Sequence, residues 1–252
     1  MSYNLDSTFP TLSKAPITEA LIDIRTELPP DVDLATLRKF YNGLETRFPK
    51  IEERFEFRTM LRVNQSGPEF EGGSSKPDGF VMRSEDEALV VQARLDGFTV
   101  NKLTPYITWK SLTEHTKPLW ERYLEVARPT KVKRLAVRYT NRIELPVGKD
   151  FKDYLLTVPE LAPGIPQGLP EFFMRLVIPH PSGATAIVTE MSQPPNPDTD
   201  VFPVILDIDA FREIEIPANF KSGIWVILTQ LRAYKNLIFF TTVTPALLEK
   251  YK

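Results

Sequence analysis

Alternating apolar and polar side chains define the first long element of the chain. In "ITEALIDIRTELPP" (17–30), Ala20, Ile22 and Ile24 are apolar and the residues between and after them include several charges. A period of two residues predicts a half-buried strand, which the paired prolines end. The next stretch, "DVDLATLRKFYNGLETRFP" (31–49), has apolar residues at helical spacing and predicts a helix.

Further strands and a second helix follow in the first half. "RTMLRVNQ" (58–65) and "DGFTVNKL" (96–103) predict strands, and residues 79–95 predict a hairpin that turns at 85–87. "KPLWERYLEVARP" (117–129) has one apolar face at helical spacing and predicts a helix.

The same order of elements then begins again. A strand is predicted first, followed by a short helix, three strands separated by proline-rich loops, a long helix and a final strand. In order, these elements are Leu135–Leu145, Asp150–Val158, 171–179, 184–191, 204–211, 222–236 and 237–244, with the loops at 159–170 and 192–203.

The two series of elements predict an internal repeat. With an offset of 117 residues, the inward positions of the first strand fall on inward positions of the later strand, and "ELP" falls on "ELP". Such units pack as a pseudo-twofold pair, because one unit alone leaves an edge strand exposed. The prediction is an α+β fold with a continuous, mainly antiparallel, curved sheet and helices on one side. Residues 1–15 form an irregular lead-in, 16–129 the first half and 130–252 the second.

Three stretches carry a family resemblance: "SKAPITEALIDIR" (13–25), "RLAVRYTNRIELP" (134–146) and "LRAYKNLIFFTTVTP" (231–245). They resemble a sporadically distributed family of bacterial and archaeal proteins of similar length. The resemblance implies one module of fixed length, a defence or mobile-element context, and no catalytic motif to transfer. The order of elements resembles the duplicated TATA-binding-protein/GyrI-like group, a likeness of fold that implies no function.

Composition excludes several classes of function. The 252 residues are 42% hydrophobic and 25% charged with a net charge of −2, so no global field attracts the protein to nucleic acid or anionic membrane. The absence of cysteine excludes thiol nucleophiles, disulfides and thiolate metal sites. We find no signal peptide and no apolar run long enough to span a bilayer. We therefore expect a cytoplasmic protein that does not enter membranes.

A row of arginines is the first candidate site. In the predicted strand Leu135–Leu145 and the residue before it, Arg134, Arg138 and Arg142 share one face, about 13 Å apart along the strand. One interpretation is an anion track for a ligand, a partner or nucleic acid. The other is a structural face paired across strands. Arg25, on the outer face of the first strand, belongs to the same candidate surface.

The first strand offers partners for this row. Its outer face carries Asp23 and Glu27, and these could neutralise two of the three arginines if the two halves meet at their first strands. A nucleic-acid surface usually has more positive charge and exposed aromatic residues between the basic ones, so we do not expect nucleic-acid binding.

Acidic residues supply a second candidate. Asp207 and Asp209 share a strand face, and paired carboxylates can bind a divalent cation or act as acid and base. A solvated or cation-paired face is the alternative. The two histidines have no metal-binding spacing. "EGGSSKPDG" (71–79) lacks the ending of a phosphate-binding loop and predicts a flexible connection between strands.

These observations favour a non-enzymatic binding or regulatory module without a cofactor. It would recognise a protein partner or a small ligand in a cleft between the halves, formed by the exposed sheet face and the proline-rich loops. The alternatives are a metal-dependent hydrolase or nuclease that uses Asp207 and Asp209, and a nucleic-acid-binding protein.

Overall fold

The computed structural model describes residues 9–64, 67–106, 108–194 and 199–252, with residues 57–74 described by their backbone alone. Residues 1–8 of the predicted lead-in and part of the second proline-rich loop lie outside the described residues. The described remainder of the lead-in contains no strand or helix, as predicted.

Within the described residues, nine strands form one antiparallel sheet in the order β2-β3-β4-β5-β1-β6-β9-β8-β7. The sheet is curved and does not close. The strands are β1 (Ile17–Glu27), β2 (Lys50–Asn64), β3 (Gly67–Arg83), β4 (Leu89–Arg94), β5 (Gly97–Leu103), β6 (Lys131–Pro146), β7 (Phe173–Pro179), β8 (Thr185–Ser192) and β9 (Val201–Pro217).

Two long helices and two short ones accompany the sheet: α1 (Leu34–Arg38), α2 (Trp109–Ala127), α3 (Lys221–Thr242) and α4 (Pro245–Leu248). Asp33 caps α1, because its side chain accepts a hydrogen bond from the backbone N–H of Thr36. The predicted α+β fold is confirmed.

The first strands of the two predicted halves lie side by side. β1 and β6 pair antiparallel, with Ile22 opposite Val137 and Asp23 opposite Ala136. On one side of this pair follow β5, β4, β3 and β2, and on the other side follow β9, β8 and β7. The sheet therefore runs without a break between residues 16–129 and 130–252. A duplication as the origin of this order stays a prediction.

Alternation along the strands gives the sheet one apolar face. Ile22, Val137 and Ile208 are fully buried on it. Helix α2 packs on this face through Trp120, whose ring centroid lies 5.9 Å from that of Phe98. Helix α3 packs on the second half of the same face, which α2 and α3 remove from water together.

Two sequence predictions about the elements are wrong. Residues 237–244 are not a final strand, because α3 continues to Thr242 and keeps burying residues at helical spacing, among them Ile238 and Phe239. The glycine-rich stretch 71–79 is not a loop, because it lies within β3, between β2 and β4. A Cβ on Gly79 would lie 2.3 Å from the carbonyl oxygen of Ala93, so close strand approach explains this glycine.

Two predicted helices are shorter than expected, and two, α2 and α3, are longer. The predicted helix 31–49 is limited to α1 and a single 3-10 turn, and the predicted helix 150–158 is one 3-10 turn at Phe151–Asp153. Helix α2 begins at Trp109, eight residues before the predicted start, with Thr108 as its cap. In the described part of the chain, no helix combines the length and the apolarity needed to cross a membrane.

Glu190 on β8 is an exception in the apolar face. It is 0% exposed, and among the described residues neither carboxylate oxygen has a hydrogen-bond partner. Burial raises the pKa of this carboxyl to about 7. This folded-state pKa exceeds the ordinary value of 4.5. The contribution of protonated Glu190 to the stability of the protein is therefore fully present below about pH 4.5 and is lost as the pH rises through 7.

We therefore expect Glu190→Gln to raise the free energy of unfolding by about 2 kcal/mol near pH 8 and to change it little near pH 4.5. Chemical denaturation at both pH values measures the difference. Glu171→Gln, at an exposed position, is the matched control and should change neither value. Equal effects at the two pH values would contradict a buried titrating Glu190.

Candidate functional site

The face of the sheet opposite the helices carries the candidate site. On β6 it presents Arg134, Arg138 and Arg142, because every second residue points to the same side. The predicted shared face is therefore present in the structure. No described helix packs on this side, and the side chain of Arg138 is 51% exposed.

Arg134 is the most enclosed of the three arginines. It donates a hydrogen bond to Asp209 at 2.9 Å and contacts Asp23 at 3.4 Å. Its guanidinium carbon lies 4.3 Å from the ring centroid of Phe211, and Glu213 is 3.6 Å away. Arg134 thus links β6 to both neighbouring strands, which is a structural role.

Arg138 and Arg142 are held more loosely. The Nε of Arg138 donates to both oxygens of Asp207, at 2.8 and 3.0 Å, and Thr140 donates to the same carboxylate at 2.9 Å. Arg142 lies 3.5 Å from Glu144 and donates to Gln193. The two arginines therefore have fixed positions but remain accessible.

Of the two acidic residues predicted to pair with the arginine row, Asp23 does so and Glu27 does not. Asp23 does face Arg134, and it also accepts from the Nε of Arg25 at 3.2 Å. Glu27 does not reach the arginine row and pairs instead with Lys133 at 2.5 Å. The reason is a register irregularity after Arg25, which sets Glu27 opposite Lys131.

A buried ion pair beneath this surface was missed by sequence reasoning. Arg94 is 3% exposed and donates to Asp23 at 2.7 Å, to Thr99 at 2.6 Å and to Asp96 at 2.9 Å. Arg94 and Asp23 are 71 residues apart in the chain and meet only through the order of strands β4, β5 and β1. No local pattern signals such a contact.

The carboxyl groups on the face titrate differently. Burial by itself raises the pKa of Asp23, but the charges of Arg94 and Arg25 outweigh it and hold the pKa below the ordinary value. Burial raises the pKa of Asp209 despite the nearby Arg134. The hydrogen bond to Asp207 raises the pKa of Arg138. Arg138 therefore stays charged near neutral pH.

The acidic pair proposed as a metal site belongs to the same network. Asp207 and Asp209 are the partners of Arg138 and Arg134, so the two candidate sites of the sequence are one site. Within the described ranges there is no group of three or more histidine, aspartate or glutamate side chains arranged to hold a metal ion.

A depression of about 540 Å³ lies over the seam between β1 and β6. Its lining comes entirely from strand residues, and the described parts of the proline-rich loops, which were predicted to form the cleft, do not contribute. Residues 159–170 line a separate hollow with Pro146 and Phe202. The chief lining residues over the seam are Asp23, Arg25, Arg94, Arg134, Arg138 and Asp209.

The fold and this surface define an α+β protein with one open antiparallel sheet, apolar and helix-covered on one face and ion-paired on the other. A comparison of the chain with models of known protein families finds no match, and a comparison with curated proteins finds none either.

Proposed function

We propose that this protein is a non-enzymatic binding module whose open sheet face recognises an acidic group of a protein partner or small ligand. The group would bind over the seam between β1 and β6. Within the arginine row, the exposed side chains of Arg138 and Arg142 would form the binding face, whereas Arg134 is enclosed.

The observation that carries the proposal is the state of Arg138. Its Nε is engaged by Asp207, and among the described residues neither of its terminal nitrogens has a hydrogen-bond partner. A guanidinium fixed on one side and open on the other is preorganised to donate two parallel hydrogen bonds to a carboxylate or phosphate.

The neighbouring charges support binding rather than proton transfer. Asp207 accepts three hydrogen bonds from Arg138 and Thr140, and Asp209 is engaged by Arg134. A general base needs lone pairs directed at a substrate, whereas these carboxylates are directed at guanidinium groups. We therefore assign the network the role of holding Arg138 in place.

We expect Arg138→Ala to weaken binding of an acidic ligand by about 10- to 100-fold, the usual loss for a hydrogen-bonded charge. The test is the thermal shift of the wild type and the variant with inorganic phosphate, citrate and a polyglutamate peptide. Affinity capture of the tagged protein from its native cells, with both forms in parallel, extends the test to natural partners. Lys110→Ala, on the exposed side of α2, is the control.

Several outcomes would contradict the proposal. Identical captured material with the wild type and Arg138→Ala, together with no thermal shift from any of the acidic probes, would remove the binding role of this face. A Tm rise with Mg²⁺ that Asp207→Asn abolishes would favour the metal-dependent hydrolase instead. A gel shift with DNA or RNA at low salt, lost in Arg138→Ala, would favour nucleic-acid binding.

A further inference from the structure

Another cavity lies on the helix-covered side, away from the open face. It has a volume of about 130 Å³ and is partly enclosed by residues 9–17, β6 and α3. Phe9 and Phe240 stack at its wall with ring centroids 4.8 Å apart. The aromatic lining residues are Phe9, Tyr106, Trp109, Tyr139, Phe239 and Phe240.

The lining of this cavity carries two cations and, among the described residues, no acid. Lys235 and Arg232, one turn apart on α3, both line it, together with the amides of Asn141 and Asn236. Neither cation forms an ion pair with an aspartate or glutamate of the described chain, and no acidic residue is among the lining residues. Buried charges are normally paired, so this excess of positive charge is what a bound anion would neutralise.

Lys235 is the better placed of the two cations. It is 6% exposed, and its Nζ lies 3.9 Å from the ring centroid of Tyr139. The hydroxyl of Tyr139 is 3.0 Å from that of Tyr106, which orients the ring. Arg232 stacks over Trp109, with its guanidinium carbon 5.8 Å from the ring centroid. Aromatic rings thus hold both side chains beside the cavity.

We propose that this cavity is a binding site for a small planar organic anion of the aromatic carboxylate class. Its ring would lie among the aromatic side chains and its carboxylate between Lys235 and Arg232. A cavity of about 150 Å³ holds one benzene ring, so the volume suits a single ring. This inference does not depend on the proposed function of the open face.

Protonation gives the site a distinctive signature. Burial and then the charge of Arg232 lower the pKa of Lys235 to about 7. Burial raises the pKa values of the neighbouring Tyr139 and Tyr106, so neither phenol exchanges a proton near neutral pH. Arg232 is the other charged group that faces Lys235. A bound carboxylate favours the charged lysine, so binding near pH 8 should take up close to one proton.

Calorimetric titration with benzoate tests the proposal. We expect a dissociation constant below about 1 mM, with benzamide, the neutral isostere, binding at least about tenfold more weakly. Titration near pH 8 in two buffers of different ionisation enthalpy should show the proton uptake, which should disappear near pH 6. Lys235→Met should abolish binding, and Arg232→Met should weaken it about tenfold.

The controls separate this site from the open face. Lys221→Met, at the exposed first turn of α3 and outside the cavity lining, should bind benzoate like the wild type. Lys235 and Arg232 do not line the depression over the seam, so the two proposals can fail independently. The inference is overturned if benzoate gives neither heat nor a thermal shift up to about 10 mM. It is also overturned if benzamide binds equally well, or if a folded Lys235→Met or Arg232→Met retains full affinity.

Discussion

Arg94→Met is expected to lower the free energy of unfolding by about 3 kcal/mol at neutral pH, the lower end of the range for removing one member of a buried ion pair. Arg94 is 3% exposed, and its loss leaves the carboxylate of Asp23 in a buried position without its nearest cation. The remaining contacts of Asp23 with Arg25 and Arg134, at 3.2 and 3.4 Å, keep the loss from being larger.

The pH dependence distinguishes this cause from a simple packing defect. In the wild type the pKa of Asp23 lies below its ordinary value because Arg94 and Arg25 outweigh burial. In the variant the effect of burial is less opposed, so the folded-state pKa rises and stability recovers as the pH falls through it. Urea denaturation between about pH 3 and pH 7 measures this recovery.

Arg25→Met is the matched control, because Arg25 contacts the same carboxylate from a side chain that is 39% exposed. Exposed pairs contribute little, so its effect should stay below about 1 kcal/mol. Equal losses for the two variants, or a loss in Arg94→Met that does not depend on pH, would show that the charge of Arg94 is not what stabilises this face.

Lys235→Met should raise the free energy of unfolding by about 3 kcal/mol near pH 7. The pKa of Lys235 falls from 10.5 to about 7, chiefly by burial, which corresponds to roughly 5 kcal/mol of unfavourable protonation in the folded state. About 4 kcal/mol of this cost is realised at pH 7, where half of the groups are neutral. The cation–π contact with Tyr139 at 3.9 Å offsets part of that cost, since such contacts contribute about 1 kcal/mol. Methionine fills a similar volume without a charge.

The sign of the pH dependence follows from the lowered pKa. The contribution of neutral Lys235 to stability is fully present above its unfolded-state pKa of 10.5. It is lost as the pH falls through the folded-state pKa of about 7. The advantage of the variant should therefore be greatest near pH 7 and should shrink toward about pH 10. Chemical denaturation at the two pH values tests this.

Lys221→Met, at the exposed first turn of the same helix, is the control and should change stability by less than about 0.5 kcal/mol. If Lys235→Met is less stable than the wild type, the contacts of the ammonium group stabilise the protein by more than the desolvation of that group costs. Stabilisation combined with loss of benzoate binding is the pattern expected of a side chain kept for binding rather than for stability.

The sequence predicted most of the strands because their alternation is local. The positions Ala20, Ile22 and Ile24 face the core as predicted, and the arginines of β6 occupy the opposite face. Residues 237–244 were predicted incorrectly because their aromatic and β-branched residues favour strands in isolation. Packing of the last turns of α3 against the core overrides that weak preference.

The candidate site was predictable in its members but not in its contacts. The arginine row and the pair Asp207 and Asp209 were recognised separately, and their pairing requires β9 to lie beside β6. The role of Arg94 could not be predicted because it depends on strand order and on burial. The position of Lys235 beside a cavity could not be predicted either, because the pattern of apolar residues along α3 does not indicate a cavity.

The sequence alone determined the α+β class and the faces on which the residues of β1 and β6 lie, because these follow from a period of two or of 3.6 residues. Only the tertiary structure decided which charges meet and which stay unpaired. Long-range pairing of β1 with β6 joins Asp23 to Arg134 across 111 residues, while packing of α3 buries Lys235 beside Tyr139. Burial and partner distance control the energy of a charge, and neither is a local property of the chain.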